Sequence, residues 1–196
     1  MGKLYCLMGK SSTGKDSIYR LLLQQQMLNL GTVVPYTTRP IRAGETEGEN
    51  YHFISDEEMK DLQRQGMVIE LRAYHTVHGI WKYATVQDGR LDLSGRDYLV
   101  IGTLDAYEQI REYFGKNRVI PIYIEVEDGL RLQRALERER QQAEPKYEEM
   151  CRRFLADASD FSEERIAHAE ITRRFSNKNL QETVEEITAY MLSCNG

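Results

Sequence analysis

The sequence predicts an α/β fold: a parallel sheet covered by helices on both faces, interrupted by one inserted lobe and one strongly charged helical stretch. Three observations predict it. Short apolar runs at residues 3–8, 98–101, 119–126 and 171–175 alternate with helical stretches, as right-handed crossovers between parallel strands require. A glycine-rich turn, residues 9–16, joins the first run to the first helix. From Pro35 to about Thr85 the pattern turns polar, Gly-rich and aromatic before the alternation resumes.

The elements follow in order. Residues 3–8 suit a buried strand, with Cys6 a small core residue. A helix follows the glycine turn, with Ile18, Leu21 and Leu22 on one face, and is expected to reach about Leu30, where Gly31 would end it. Residues 32–34 read as a short β-branched strand. Ser55 and Glu58 form a capping box that opens a helix towards Gln65, stopped by Gly66. Residues 67–71 and 76–83 read as strands around a turn. After the strand at 98–101 comes a helix over 104–114, then the strand at 119–126, where Pro121 favours an edge position or a bulge. A charged helix is expected over about 129–144, carrying Arg131, Arg134, Arg138 and Arg140. Pro145 breaks it, and a second charged helix bears Arg152 and Arg153. The strand at 171–175 and an amphipathic helix over 180–191 close the chain.

Composition narrows the function. A chain of 196 residues allows one domain with an insertion and a real core. Its formal net charge of -5 argues against nucleic acid as a partner, and the locally concentrated basic residues suit a small anion better than a polyanion. Three widely spaced cysteines without metal spacing suit a reduced, cytoplasmic protein. No apolar run approaches membrane-spanning length, and no signal peptide is evident. His52, His75, His78 and His168 lack metal spacing, and Trp81 has no assigned role.

Gly9-Lys10-Ser11-Ser12-Thr13-Gly14-Lys15-Asp16 has the spacing of a phosphate loop, except that Asp16 stands where a hydroxyl is usual and Ser17 follows one place late. Its glycines let successive N–H groups turn inward on a phosphate chain, the helix adds its positive end, and Lys15 adds a mobile charge. Arg39 and Arg42, with Tyr51 and Tyr83, could grip a second phosphate. Glu70 could accept from the N1–H and 2-amino edge of guanine, which adenine cannot offer. Phosphoryl transfer needs such parts: a donor loop, a cationic acceptor site and mobile basic residues.

Residues 37–53, from Thr37-Thr38-Arg39-Pro40 to Asn50-Tyr51-His52-Phe53, resemble the nucleoside-monophosphate-binding signature of guanylate kinases. The resemblance covers nearly the whole chain. It implies an α/β P-loop kinase fold, a three-layer sandwich with a central parallel sheet, an inserted nucleoside-monophosphate-binding lobe and a helical lid. One domain would span 1–196, with its core at 1–34, 86–128 and 169–196, its lobe at 35–85 and its lid region at 129–168. It implies phosphoryl transfer from ATP to GMP with Mg²⁺. ATP would be bound by Gly9, Ser11, Ser12, Thr13, Gly14, Lys15, Asp16, Ser17 and Asn177; GMP by Arg39, Arg42, Tyr51, Glu70, Tyr83 and Thr85. Lys15, Arg39 and the lid residues Arg134, Arg138 and Arg153 would be catalytic. Asp16 departs from the family's hydroxyl, and its carboxylate is expected to meet Mg²⁺ directly or through water in its place. The expected partners are these nucleotides, with neither nucleic acid nor membrane, and the expected state is a monomer or homodimer. The chain departs from the family pattern at Pro35, where a base-contacting hydroxyl is usual, at Ala84, where a glycine is usual, and at Ile101 and Thr103, where the family carries aspartates near the acceptor site; Asp105, two residues on, could stand in for them. Two alternatives therefore stand: a kinase for another nucleotide or modified base, or a catalytically weak binding module on this scaffold.

Overall fold

The computed structural model describes residues 1–42, 44–76 and 79–194. Five parallel strands form the main sheet in the order β2-β7-β1-β8-β9. They are β1 (Leu4–Met8), β2 (Gly31–Thr32), β7 (Tyr98–Ile101), β8 (Val119–Glu125) and β9 (Arg174–Ser176). Strand periodicity sorts the core into two layers. Leu4, Cys6 and Met8 face a cluster with Leu104, Ile110, Phe161 and Ile166. Tyr5 and Leu7 face the opposite cluster with Ile18, Leu22, Val184, Ile187 and Met191. Helices α1 (Lys15–Leu23) and α7 (Leu180–Cys194) thus cover one face, and α3 (Leu104–Phe114) and α6 (Glu163–His168) the other.

A second sheet, in the order β4-β3-β6-β5, is built from β3 (Tyr36–Thr37), β4 (His52–Phe53), β5 (Val68–Thr76) and β6 (Gly79–Val86). It packs on α2 (Asp56–Arg64) through its own small core of Met59, Ala84 and Val86. Ser55 caps α2 as expected, with both bonds of the capping box present. Two further helices, α4 (Asp128–Arg140) and α5 (Tyr147–Asp160), supply the charged stretch. No helix among the described residues is long and apolar enough to cross a membrane.

Several expectations are corrected. Helix α1 ends at Leu23, and a 3-10 turn over Gln26–Leu28 closes on Asn29 at φ 44°. Gly31 is no helix stop: it begins β2, where a Cβ would stand 2.5 Å from the Tyr98 ring. Its strand covers Gly31–Thr32, so Val33 and Val34 lie beyond it. Pro121 lies in an internal strand, but β9 pairs only with Tyr123–Glu125, which leaves the Pro121 stretch of β8 uncovered on that side. The strand expected at 171–175 forms at Arg174–Ser176, because Glu170 at φ 59° turns the chain and Ile171 still closes α6. The charged helix stops at Arg140, short of Glu144. The hairpin strands are longer than expected, and Val77 and His78, like Ala43, lie outside the described residues.

Candidate active site

The phosphate loop leaves β1 at the centre of the sheet, where strand order reverses, so it opens at the carboxyl ends of the strands. Gly14 at φ 87° is the N-cap of α1 and has no side chain to cap it, which leaves the helix N–H groups pointing into the loop. A Cβ there would collide with the Asn177 amide. Asn177 is buried and donates from Nδ2 to the Thr13 carbonyl at 2.7 Å, so it braces the loop from behind. Ser12 sits at φ 64°, a conformation costing a non-glycine residue about 1 kcal/mol. Its buried hydroxyl has no partner among the described residues.

Lys15, Asp16 and Ser17 open into a cleft of about 320 Å³ that is also lined by Arg20, Arg134 and Arg138. Arg134 donates to the Asn177 carbonyl at 3.2 Å. Among the described residues, the side chains of Lys15 and Arg138 make no hydrogen bond or ion pair. Arg153 lies against the loop beside Ser11 and Ser12, but its Nε donates to Glu149 at 2.7 Å on the surface. A larger recess of about 460 Å³ lies on another flank of the loop, where Glu125, Glu127, Asp128 and Glu163 outnumber Lys10 and Lys178. That balance of charge suits a triphosphate poorly.

A third cleft, of about 330 Å³, brings Lys15 together with Tyr51, Tyr83 and Arg72. Tyr51 and Tyr83 meet edge to face at 5.8 Å. Arg39 is buried, lies over the Tyr51 ring at 4.9 Å, and is clamped bidentately by Glu45 at 2.7 and 2.5 Å. The Arg39 hydrogen bond holds the Glu45 carboxyl down to about 2, against a cost of desolvation. Arg42 is exposed and rests over the ring of Trp81 at 5.7 Å, which gives Trp81 a contact that the sequence did not suggest. Asp105 is paired with Arg165 of α6, so it takes no part in the cleft. Thr103 caps α3 and, with Ile101, lines the wall where carboxylates were expected.

The profile of the guanylate kinase family matches residues 1–193. The guanylate kinase of Mycoplasma mobile is 30% identical over 201 residues, covering 95% of this chain and 90% of that protein. That of Mannheimia succiniciproducens is 41% identical over 85 residues, covering 43% of this chain and 39% of its own. The chain belongs to the guanylate kinase family. The crystal structure of guanylate kinase from Anaplasma phagocytophilum shares the fold, at a TM-score of 0.65 and 24% identity over 98% of this chain and 85% of that one.

Within this guanylate kinase family member, two groups escaped the sequence reading. The first is the buried pair Arg131–Asp157. Arg131 donates to the Ser11 carbonyl at 3.0 Å and to Asp157 at 2.8 Å, and Asp157 in turn accepts the Ser11 N–H at 2.8 Å. The pair ties the loop to α4 and α5 at once. Its signal was the spacing of Arg131, Ala135 and Glu139, which marks one buried face of a helix that otherwise reads as solvated. The second is Arg72. Residues two apart on a strand share a face, so Arg72 stands beside Glu70. It bonds the Glu70 carboxylate through Nε at 3.0 Å and Nη2 at 3.2 Å. Thr85, opposite Glu70 in register, donates to the same carboxylate at 3.0 Å.

Proposed function

We propose that this chain transfers the terminal phosphoryl group of ATP to a nucleoside monophosphate, GMP foremost, giving ADP and GDP. The observation that carries the reading is Lys15, which lines both the loop cleft with Arg134 and Arg138 and the lobe cleft with Tyr51 and Tyr83. A donor in one and an acceptor in the other would meet at its ammonium.

ATP phosphates would lie in the curl of Gly9, Ser11, Ser12, Thr13, Gly14 and Lys15. The unpartnered Ser12 hydroxyl and the uncapped N-terminus of α1 both favour an anion there. Asn177 would act by bracing that curl. The acceptor phosphate would be held by Arg39, Arg42, Tyr51 and Tyr83. Its oxygen attacks the terminal phosphorus in line, the bond to the bridging oxygen breaks, and ADP leaves without a covalent enzyme intermediate. Arg134 and Arg138 spread the charge of the transferring group, and Arg153 would join them on exchanging Glu149 for phosphate.

The residues present fit a hard cation. Asp16, exposed on the first turn of α1, and Ser17 both offer oxygens to the loop cleft. Bound Mg²⁺ would neutralise phosphate charge as transfer proceeds. Small nucleotides are the partners this reading implies, in a cytoplasmic monomer or homodimer without nucleic-acid or membrane binding. A coupled ADP-release assay across the common nucleoside monophosphates, with and without Mg²⁺, tests it. Mg²⁺-dependent ADP release with GMP is expected; no release with any monophosphate would overturn the reading.

A further inference from the structure

The acceptor cleft departs from what its sequence implied at the group that meets the base. Glu70 is only 2% exposed and does not line the cleft, whereas Arg72 does. The Glu70 carboxylate already accepts three hydrogen bonds, two from Arg72 and one from Thr85. A carboxylate has about four lone-pair directions, so little capacity is left for the N1–H and 2-amino group of a guanine.

The chemistry of the guanidinium decides what the cleft offers instead. Arginine has five N–H donors in one plane. Glu70 takes Nε–H and one N–H of Nη2, along one side of that plane. Planarity directs the remaining N–H groups, both on Nη1 and one on Nη2, away from Glu70. The Tyr74 side chain also bonds the guanidinium, which leaves two N–H groups for a pair of neighbouring acceptors. Burial opposes the charge of Arg72, but Glu70 and Tyr74 outweigh it and hold its pKa above the ordinary value. Around it stand Tyr74 and Tyr83, with Pro35 and Ile101 as apolar walls suited to the faces of a ring.

We infer that Arg72, oriented by Glu70, reads the acceptor base by donating to its O6 and N7 edge, so that the acceptor class is the 6-oxopurine nucleoside monophosphates and not guanine alone. This rests on the kinase reading above. An adenine edge presents a donor at the 6 position and is refused; a 2-amino group is not read.

The experiment is steady-state turnover and equilibrium binding of four acceptors by the unmodified full chain with ATP and Mg²⁺: GMP, IMP, AMP and 7-deaza-GMP. GMP and IMP should have KM values within about threefold of each other, 7-deaza-GMP should lose about tenfold, and AMP about ten- to a hundredfold. Arg72→Met should raise KM for GMP and IMP together by about tenfold or more and abolish the penalty for 7-deaza-GMP. A preference for GMP over IMP of about tenfold or more would mean that Glu70 reads the 2-amino group, and would overturn the inference while leaving the kinase reading standing. Equal use of AMP would overturn it in the same way. If no acceptor binds or turns over, both fall. The analogue series needs no variant, so a poorly folded Arg72→Met leaves the test intact.

Discussion

The two sides of the candidate site treat charge in opposite ways. On the loop side Lys15 and Arg138 face their cleft without partners among the described residues, and Arg134 touches only a carbonyl. On the lobe side the buried Arg39 and the half-buried Arg72 are already paired, with Glu45 and Glu70 respectively. Unpaired cations at a helix N-terminus attract any phosphate chain, whatever it is attached to. Paired guanidiniums offer less net charge but a fixed direction for each remaining N–H. The difference teaches a division of labour: the loop side supplies attraction, and the lobe side supplies geometry, which is what selection between similar acceptors needs.

The largest effect should come from breaking the loop side at its one residue shared between clefts. Lys15→Ala is expected to lower kcat by about a hundred- to a thousandfold with GMP affinity little changed; a matching loss of GMP affinity would mean that attraction is not confined to the loop. On the lobe side, Arg39→Ala should weaken GMP about ten- to a hundredfold while sparing ATP, as titration calorimetry of each nucleotide would reveal. Unchanged GMP affinity would remove Arg39 from the acceptor site.

A third change tests what joins the loop to the lid. Asp157→Ala leaves Arg131, 1% exposed at its side chain, with only the more exposed Asp128 as counter-ion, and leaves the Ser11 N–H without its acceptor. Loss of a hydrogen bond to a charged group costs about 1.5–3 kcal/mol, which for a chain of this size lowers Tm by about 5 °C or more in a thermal melt. The smallest effect is a pH dependence confined to the lobe. Glu45 titrates at about 2 in the fold against an ordinary 4.5. The unfolded chain therefore takes up this proton first, so the Arg39 pair stabilises the fold above pH 4.5 and loses its contribution as pH falls towards 2. Glu45→Gln should flatten that part of an acid-unfolding curve followed by circular dichroism; an unaltered curve would show that the pair adds no stability.

Much of the loop side was legible because its information is local. The spacing of Gly9, Gly14 and Lys15 and the apolar strand before them specify a turn, a helix start and a cation within a few residues. The strand–helix alternation gave the parallel sheet for the same reason, since each element declares its own periodicity. Errors gathered where a residue's role depends on a distant neighbour. Gly31 looks like a helix stop until the Tyr98 ring is seen against it. Pro121 signals a free edge, but only the pairing shows that the edge is local, in an internal strand whose neighbour β9 begins beyond it. Asp105, a possible stand-in for the expected carboxylates, is drawn away by Arg165.

What the sequence determined by itself was the family, the sheet, the loop and a set of basic and aromatic residues fit for two phosphates. Only the tertiary structure decided which charges remain available. Whether a carboxylate such as Glu70 faces a ligand or an arginine depends on side chains brought together across strands, and whether Arg131 is solvated or buried depends on where α5 lies. Electrostatic partners act over a few ångströms in space, and the linear chain records their distance only where the backbone between them is short.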